Sequence, residues 1–469
     1  MKRPRALAGA LALSMLLSSL GTSIANVGLP ALAQAFGVRF GQVQWIVLAY
    51  LLAITTLIVG VGRLGDLTGR RRLLLAGIAL FTAASILCGL APTLPCLIAA
   101  RALQGLGAAA MMGLTMSFAA GAASKGGSGS VMGLLGTMSA VGTALGPTLG
   151  GVLIGAAGWR ALFFITAPLG IATWLLAYRG LPADVARLDG ERTGFDAIGT
   201  LLLALTLGAY ALAMTVGGGF GAPNLALLLA AAVGACLFVR AGASAASPLI
   251  PLALLRDRLL GARLGTTALV ATVMMATLVV GPFYLTRALG LAPAGVGLVL
   301  SAGPLVAALS GVPAGRLVER AGTAGVAIAG LALMLGASVP LALLPVSSGV
   351  PGYVAPLVVL TIGYALFQAA NNTALMDTAG AKQRGVVASM LNLARNLGLV
   401  TGASLMVAVF AFGAGTATVA APFAAVAAGM HRTFALACAL LAAALAIAWR
   451  AEWAQAGRAQ AEREQQQQT

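Results

Sequence analysis

Acidic residues are nearly missing from this sequence. Its 469 residues include only eleven Asp and Glu, one His and four Cys, and charged residues of both signs make up 8% of the chain. A soluble globular domain carries about 25% charged residues. A water-facing surface of this length cannot be built from so few, so lipid is the natural surroundings of this chain. The scarcity of acids and histidine also excludes most catalytic classes, because no nucleophile, base or metal cluster converges. The cysteines, Cys88, Cys96, Cys236 and Cys438, form no close set with histidine, which argues against zinc. Cys88 and Cys96 flank one short loop and are the one pair placed to bridge in an oxidising compartment. The sequence therefore implies neither an enzyme nor a metal or cofactor site.

In place of these groups stand long apolar runs of about 18–28 residues, oily on all sides, as membrane-crossing helices require. Barrel strands would instead alternate over about ten residues. The runs predict an all-α polytopic membrane protein of about fourteen spans, by the rule of ~20 residues per span. The opening run resembles a signal peptide in its basic start, but it is long, contains Asn26 and leads into further spans, and is read as a retained first span. The formal net charge of +17 is a signal of topology rather than of nucleic-acid binding. Only Arg39, Arg160, Arg287 and Arg432 fall in one set of alternate loops, Arg101 and Arg395 lie inside spans, and every other Lys and Arg collects on the side of the N-terminus. By the positive-inside rule both termini are cytoplasmic, in a bacterial-type inner (plasma) membrane. The Gln-rich end of the chain reads as a frayed polar tail.

An internal repeat divides the chain. Gly62-Arg63-Leu64-Gly65-Asp66 has an echo in Gly315-Arg316-Leu317-Val318-Glu319, 253 positions on, and Gly142 and Gly146 have echoes in Gly398 and Gly402, 256 positions on. Parallel halves with substrate bound between them are a transporter architecture. The expected organisation is a six-helix bundle over 1–180, an inserted helix pair with its flanking loops over 181–263, a second six-helix bundle over 264–450, and a polar cytoplasmic tail over 451–469.

Several segments carry specific chemistry. In Gly62-Arg63-Leu64-Gly65-Asp66-Leu67-Thr68-Gly69-Arg70-Arg71-Arg72, glycines permit a tight inner turn, and Asp66 is suited to meet a helix N-terminus or an Arg and latch one conformation. Arg101 and Gln104 share one helix face. An Arg at mid-membrane costs roughly 2.5–3.5 kcal/mol on insertion scales and so faces a cavity or a partner, unless it snorkels or braces helices. Gly142, Gly146, Pro147, Gly150 and Gly151 offer a groove for close helix packing, with Pro147 removing one backbone bond, and form a hinge or sealing surface. Gln368, Asn371 and Asn372, then Asn392, Arg395 and Asn396, each make one helical stripe. Together with Asn26, Arg101 and Gln104 they would line a neutral-to-positive pocket, suited to a neutral or anionic, partly apolar substrate; interhelical hydrogen bonding is the alternative role of the amides.

These segments resemble the major facilitator superfamily. The Gly62–Arg72 stretch is similar to its signature loop. Leu97, Arg101, Gln104, Gly105, Gly107 and Ala108 are similar to its fourth-span motif, and Gly142–Gly151 to the fifth-span motif of its antiporter branch. The segment Leu20–Pro30, Trp45, Tyr50, Trp159-Arg160, Phe163, Phe164 and Pro168 resemble the fourteen-helix drug:proton antiporter family. That resemblance implies two six-helix bundles plus an inserted central pair. It implies export of drugs, antibiotics or metabolites against protons, with the proton gradient as energy source and no cofactor, and a role for Arg101 in proton transfer. The sequence departs from the family at Gly21, where the family commonly has Asp. None of the eleven acids falls near the centre of a span, whereas proton coupling usually uses intramembrane carboxylates or histidines. A facilitator or uptake carrier without proton coupling is the alternative, with a nontransporting membrane receptor or a membrane enzyme more remote. The expected partners are a small-molecule substrate, protons and the lipid bilayer, not nucleic acid.

Overall fold

The computed structural model describes residues 2–122, 128–182, 196–215, 221–244, 257–343, 345–378, 384–414 and 423–468. Much of the proposed inserted segment 181–263, with Asp184, Asp189 and Glu191, therefore lies outside the described residues, as do Lys125 and Lys382; of Asp66 and Asp377 only the backbone is described.

All described regular structure is helical. Fourteen principal helices follow in order: α1 (Lys2–Phe36), α2 (Trp45–Thr68), α3 (Arg70–Leu90), α4 (Leu94–Ala122), α5 (Ser128–Ala157), α6 (Thr166–Gly180), α7 (Ala197–Thr215), α8 (Ala222–Ser244), α9 (Arg258–Arg287), α10 (Pro293–Ala321), α11 (Thr323–Leu343), α12 (Gly349–Thr378), α13 (Arg384–Ala414) and α14 (Phe423–Gln468). Among the described residues twelve helices are long and apolar enough to cross a membrane, and the shorter apolar stretches Val141–Ala157 and Ala197–Ala213 lie in α5 and α7. The helices outrun the spans expected from hydropathy. At 35 residues, α1 is about 52 Å long against a hydrocarbon core of about 30 Å, so its ends leave the oil. The tail expected to fray continues as helix to Gln468; its Ala, Glu, Gln and Arg are good helix formers that need no core.

Two of the rare acids start helices. The carboxylate of Asp257 accepts from the Leu259 and Leu260 amides at 2.9 and 3.4 Å, and that of Asp196 accepts from the Gly199 amide at 2.7 Å, satisfying donors that a helix start leaves open.

The repeat is built into the backbone. Gly37 and Gly290, and Gly69 and Gly322, each pair 253 positions apart, have φ of +63°, +66°, +97° and +82°, the left-handed region that suits glycine. Each pair ends equivalent helices. The expected inner turn thus falls at Gly69 alone, while Gly62, Gly65 and Asp66 stay helical within α2. Helix crossings recur too. A Cβ on Gly107 would lie 2.7 Å from the Gly77 carbonyl, and one on Gly363 would lie 2.7 Å from the Gly330 carbonyl. A Cβ on Gly142 would meet the Leu16 carbonyl at 2.4 Å, and one on Gly398 the Ala268 carbonyl at 2.2 Å. Small residues let helix backbones touch in a membrane, where apolar burial alone cannot drive association.

The outcome is two six-helix bundles, α1–α6 and α9–α14, with matching partners: α1 on α5 as α9 on α13, α2 on α4 as α10 on α12, and α1 on α6 as α9 on α14. They meet along three seams, α5 with α10, α2 with α13, and α1 with α9. Between them sits α7, touching α2 and α13, with α8 packed on α7. Most of α8 faces outward, and Leu225, Leu229 and Val233 are exposed, as a lipid-facing helix requires. One apolar core, including Leu32, Val43, Trp159, Leu285 and Phe410, runs through both bundles near the ends of α1 and α9. Toward the termini the described core splits into separate clusters, one around Leu11, Leu74 and Leu114 and others around Leu260, Leu375 and Met390 and around Val318, Val326 and Ala370. Among the described residues the bundles are thus bonded by apolar packing at the face opposite the termini.

Candidate functional site

Arg101 lies two turns into α4 and is fully buried. Its guanidinium is satisfied without a carboxylate. Nε donates to the Ile46 carbonyl at 2.9 Å, Nη1 to Gln104 Oε1 at 2.5 Å, and Nη2 to the Gly21 carbonyl at 3.0 Å. The Tyr50 ring lies 4.1 Å from the guanidinium carbon and the Phe163 ring 5.9 Å, a cation–π setting that strengthens when water is excluded. Gln104 passes the network on, donating to Ser85 Oγ at 2.7 Å. Tyr50 Oη donates to the Ser18 carbonyl at 2.8 Å. One cation thereby ties α1, α2, α3 and α4 together. Asn26 is also buried, its amide nitrogen donating to the Thr22 carbonyl at 3.2 Å, while its Oδ1 has no partner among the described residues. In this conformation Asn26, Arg101 and Gln104 sit inside the wall of the first bundle and do not reach the stripes of the second. Ser85 and the Gly21 carbonyl carry no signal in the sequence that would have marked them.

On the signature segment, Arg71 Nη2 donates to the Tyr178 carbonyl at 2.7 Å, and its guanidinium lies 5.6 Å from the Tyr178 ring. That contact stays within the first bundle. Gly65 leaves room for Leu114 and Arg70, whose side-chain atoms a Cβ there would meet at 2.8 and 3.3 Å. The side chain of Asp66 lies outside the described residues.

The glycines of the fifth-span motif divide between two jobs. Gly142, Gly146 and Gly150 lie against α1, meeting Leu16, Ser23 and Val27. Gly151 turns to the other bundle: a Cβ there would come 2.5 Å from the Pro293 carbonyl, and one on Gly297 of α10 would come 2.3 Å from the Pro147 carbonyl. Thr148 and Ser301 share a short hydrogen bond across the same seam. Sequence reasoning had no access to Gly297 or Ser301, because nothing in their spacing names the helix they meet.

In the second bundle the stripes part company. Asn371 is buried and committed, its Nδ2 donating to Thr267 Oγ1 at 2.8 Å. Asn396 is buried. Gln368, half-buried, donates to Tyr364 Oη at 3.2 Å. Asn372, Asn392 and Arg395 are half-buried. Nearby on α9, Arg263 pairs with Glu452 of α14 at 3.0 Å. The four cysteines are free.

Comparison with known proteins agrees with this architecture. The chain is 33% identical over 389 residues to YebQ of Escherichia coli (strain K12), named an uncharacterized transporter, covering 82% of this chain and 84% of that one. It is 29% identical to the riboflavin transporter RibZ of Clostridioides difficile (strain 630), covering 85% and 86% of the two chains. It is 31% identical to the multidrug resistance protein Stp of Mycobacterium tuberculosis (strain ATCC 25618 / H37Rv), covering 85% of this chain and 74% of Stp. Among solved structures, a bacterial homologue of the human lysosomal transporter Spinster shares the fold, with a TM-score of 0.68 and 16% identity over 96% of this chain and 97% of that one. The family model of the Major Facilitator Superfamily matches residues 11–403. The chain belongs to the Major Facilitator Superfamily and is a multi-pass membrane transporter, not an enzyme.

Proposed function

We propose that the chain exports a small, partly apolar, neutral or anionic molecule from a bacterial cytoplasm by alternating access, the two bundles rocking about a site between them. One observation carries this reading: the bundles, matched helix for helix, are packed together at the face opposite the termini, whereas the described core is split near the termini. Two bundles joined at one face form half of an alternating cycle. Relatives named for multidrug resistance and for riboflavin transport support a drug-like or heterocyclic substrate. In this reading the termini are cytoplasmic, the bundles span 1–180 and 264–450, Gly62, Asp66, Gly69, Arg70 and Arg71 form the inner latch, and the Gly142–Gly151 motif seals the outer side.

Proton antiport is the energy source that the family resemblance implies. A specific observation favours a second reading, transport without protons: Asp196, Asp257, Glu319 and Glu452 all stand at the ends of helices or of their apolar stretches, and Asp66 and Asp377 lie within the last three residues of α2 and α12. Purified protein in liposomes separates the two. Substrate flux that follows an imposed pH gradient identifies an antiporter, and flux indifferent to it identifies a facilitator. Labelling of single cysteines at the termini tests the orientation; an external terminus would overturn it.

A further inference from the structure

Three cations are buried or half-buried on the apolar helices, Arg101 and Arg395 within spans and Arg263 near the start of α9, and they are treated differently. Arg101 is walled in and saturated by carbonyls and rings. Arg263 is neutralised by Glu452. Arg395 is half-buried, and among the described residues it has neither a carboxylate nor a hydrogen-bond partner. An intramembrane charge left this way is expensive, which marks it as functional rather than structural.

Helix geometry gives the direction from which Arg395 is reached. Leu397, 37% exposed, marks the lipid side of α13, and at about 100° per residue Arg395 stands some 160° around the helix from it. Arg395 also lies one turn before Gly398, whose backbone abuts α9. On α12 the exposed large apolar residues are Val359 and Ile362, and half-buried Tyr364 stands about 140–160° around the helix from both, with Gln368 bonded to it. The partial accessibility of Arg395, Tyr364 and Gln368 therefore lies on sides of their helices turned away from the exposed apolar residues.

The repeat gives the counterparts of these groups in the first bundle. At an offset of 256, Gln368 corresponds to Met112, Asn372 to Met116 and Arg395 to Ser139 in the first bundle. No carboxylate or cation stands at these counterparts. The counterparts differ in kind: amides and a cation in the second bundle, two thioethers that can accommodate flat apolar bodies and a hydroxyl in the first.

We propose that Arg395, with Gln368 and Asn372 beside it, binds the anionic group of an amphipathic organic monoanion, a carboxylate or sulfonate, whose apolar body rests against Met112 and Met116. This rests on the transport reading above and names its substrate class. It also supplies an energy source that needs no intramembrane acid. A bound monoanion carries one negative charge outward, so an inside-negative membrane potential drives its export directly.

The test uses a matched pair of probes, naphthalene-2-sulfonate and the neutral naphthalene-2-sulfonamide, with the full-length protein. By equilibrium dialysis in detergent the sulfonate should bind at least about tenfold tighter than the sulfonamide. Arg395→Gln should abolish that preference and Arg395→Lys should keep most of it, both variants eluting as the natural protein does on size exclusion. In liposomes at equal pH, a potassium diffusion potential directed to favour anion export should speed sulfonate flux severalfold and leave sulfonamide flux unchanged. Equal binding of the two probes, no binding of either, a preference that survives Arg395→Gln, or sulfonate flux indifferent to voltage would each overturn the proposal. Voltage-driven sulfonate flux that persists undiminished in Arg395→Gln would overturn only the anion site and leave the transport reading standing; loss of flux for every solute, the sulfonamide included, in the natural protein would sink both.

Discussion

Arg101 donates from Nη2 to the carbonyl of Gly21, 3.0 Å away, at the position where the resembling family commonly has an aspartate. The space such a side chain would enter is occupied: a Cβ on Gly21 would come within 2.8 Å of Tyr50 Oη and 3.3 Å of the Phe81 ring. Tyr50 faces the cation instead. A carbonyl and a π-face hold here what an ion pair would hold with an acid present.

Replacing Arg101 should therefore stop transport without preventing insertion. Arg101→Ala removes the donor to three helices and leaves Gln104 Oε1 without its partner, and flux in liposomes should fall at least about tenfold while the yield of membrane-embedded protein stays near normal. Arg101→Lys should rescue little, because one ammonium cannot reproduce a planar fork aimed at separated acceptors. Normal flux in Arg101→Ala would remove this residue from the mechanism.

Supplying the absent acid is the complementary experiment. Gly21→Asp combined with Tyr50→Phe clears the hydroxyl that a Cβ would meet at 2.8 Å and sets a carboxylate beside Arg101. The double variant should show a steeper dependence of flux on an imposed pH gradient than the natural protein. An unchanged dependence would show that the acid is not what limits proton coupling.

The seam between α5 and α10 has little room for side chains. Gly151→Val would drive methyl groups into the Pro293 carbonyl, which a Cβ alone would approach to 2.5 Å. The variant should favour the state in which this face is open, seen as faster labelling of a cysteine placed at Ser301 and as lost flux. Gly155→Val, one turn further on with nothing within 4 Å of its added Cβ, should behave as the natural protein. Equal labelling in the two variants would argue against the seam.

At the other end of the protein, Glu452→Gln removes one charge from the 3.0 Å pair with Arg263 and leaves the cation without its carboxylate. Loss of a charge-assisted bond of this kind costs on the order of 1–3 kcal/mol, so the detergent-solubilised variant should melt a few degrees lower, with flux retained. A melting temperature that does not move would mark the pair as incidental.

The large features were legible because they repeat. Apolar runs set by membrane thickness and glycines at offsets of 253 and 256 point to a many-helix membrane fold and its duplication without knowledge of any contact, although among the described residues twelve helices, not fourteen, are long and apolar enough to cross. The glycine signal even anticipated the crossings at Gly142 and Gly398. What could not be read was which helix each polar residue meets. Asn371 and Asn372 are neighbours on one stripe, yet the first is fixed to Thr267 and the second stays half-buried. Arg101 and Arg395 look alike in the sequence and differ entirely in surroundings. The helical tail and the helical Gly62–Thr68 segment were misjudged for a simpler reason: hydropathy marks where oil ends, and hydrogen bonding continues past that point.

The backbone-to-backbone crossings at Gly77/Gly107 and Gly330/Gly363 have a genetic corollary. Each half behaves as a stiff casting whose internal joints cannot slide, so conformational freedom is confined to the three lines where the castings touch. Lesions in the castings should be lost as misfolded protein and be hard to correct. Lesions along the lines should shift a balance, and second-site revertants of a defect between α5 and α10 should cluster on the mirror line between α2 and α13.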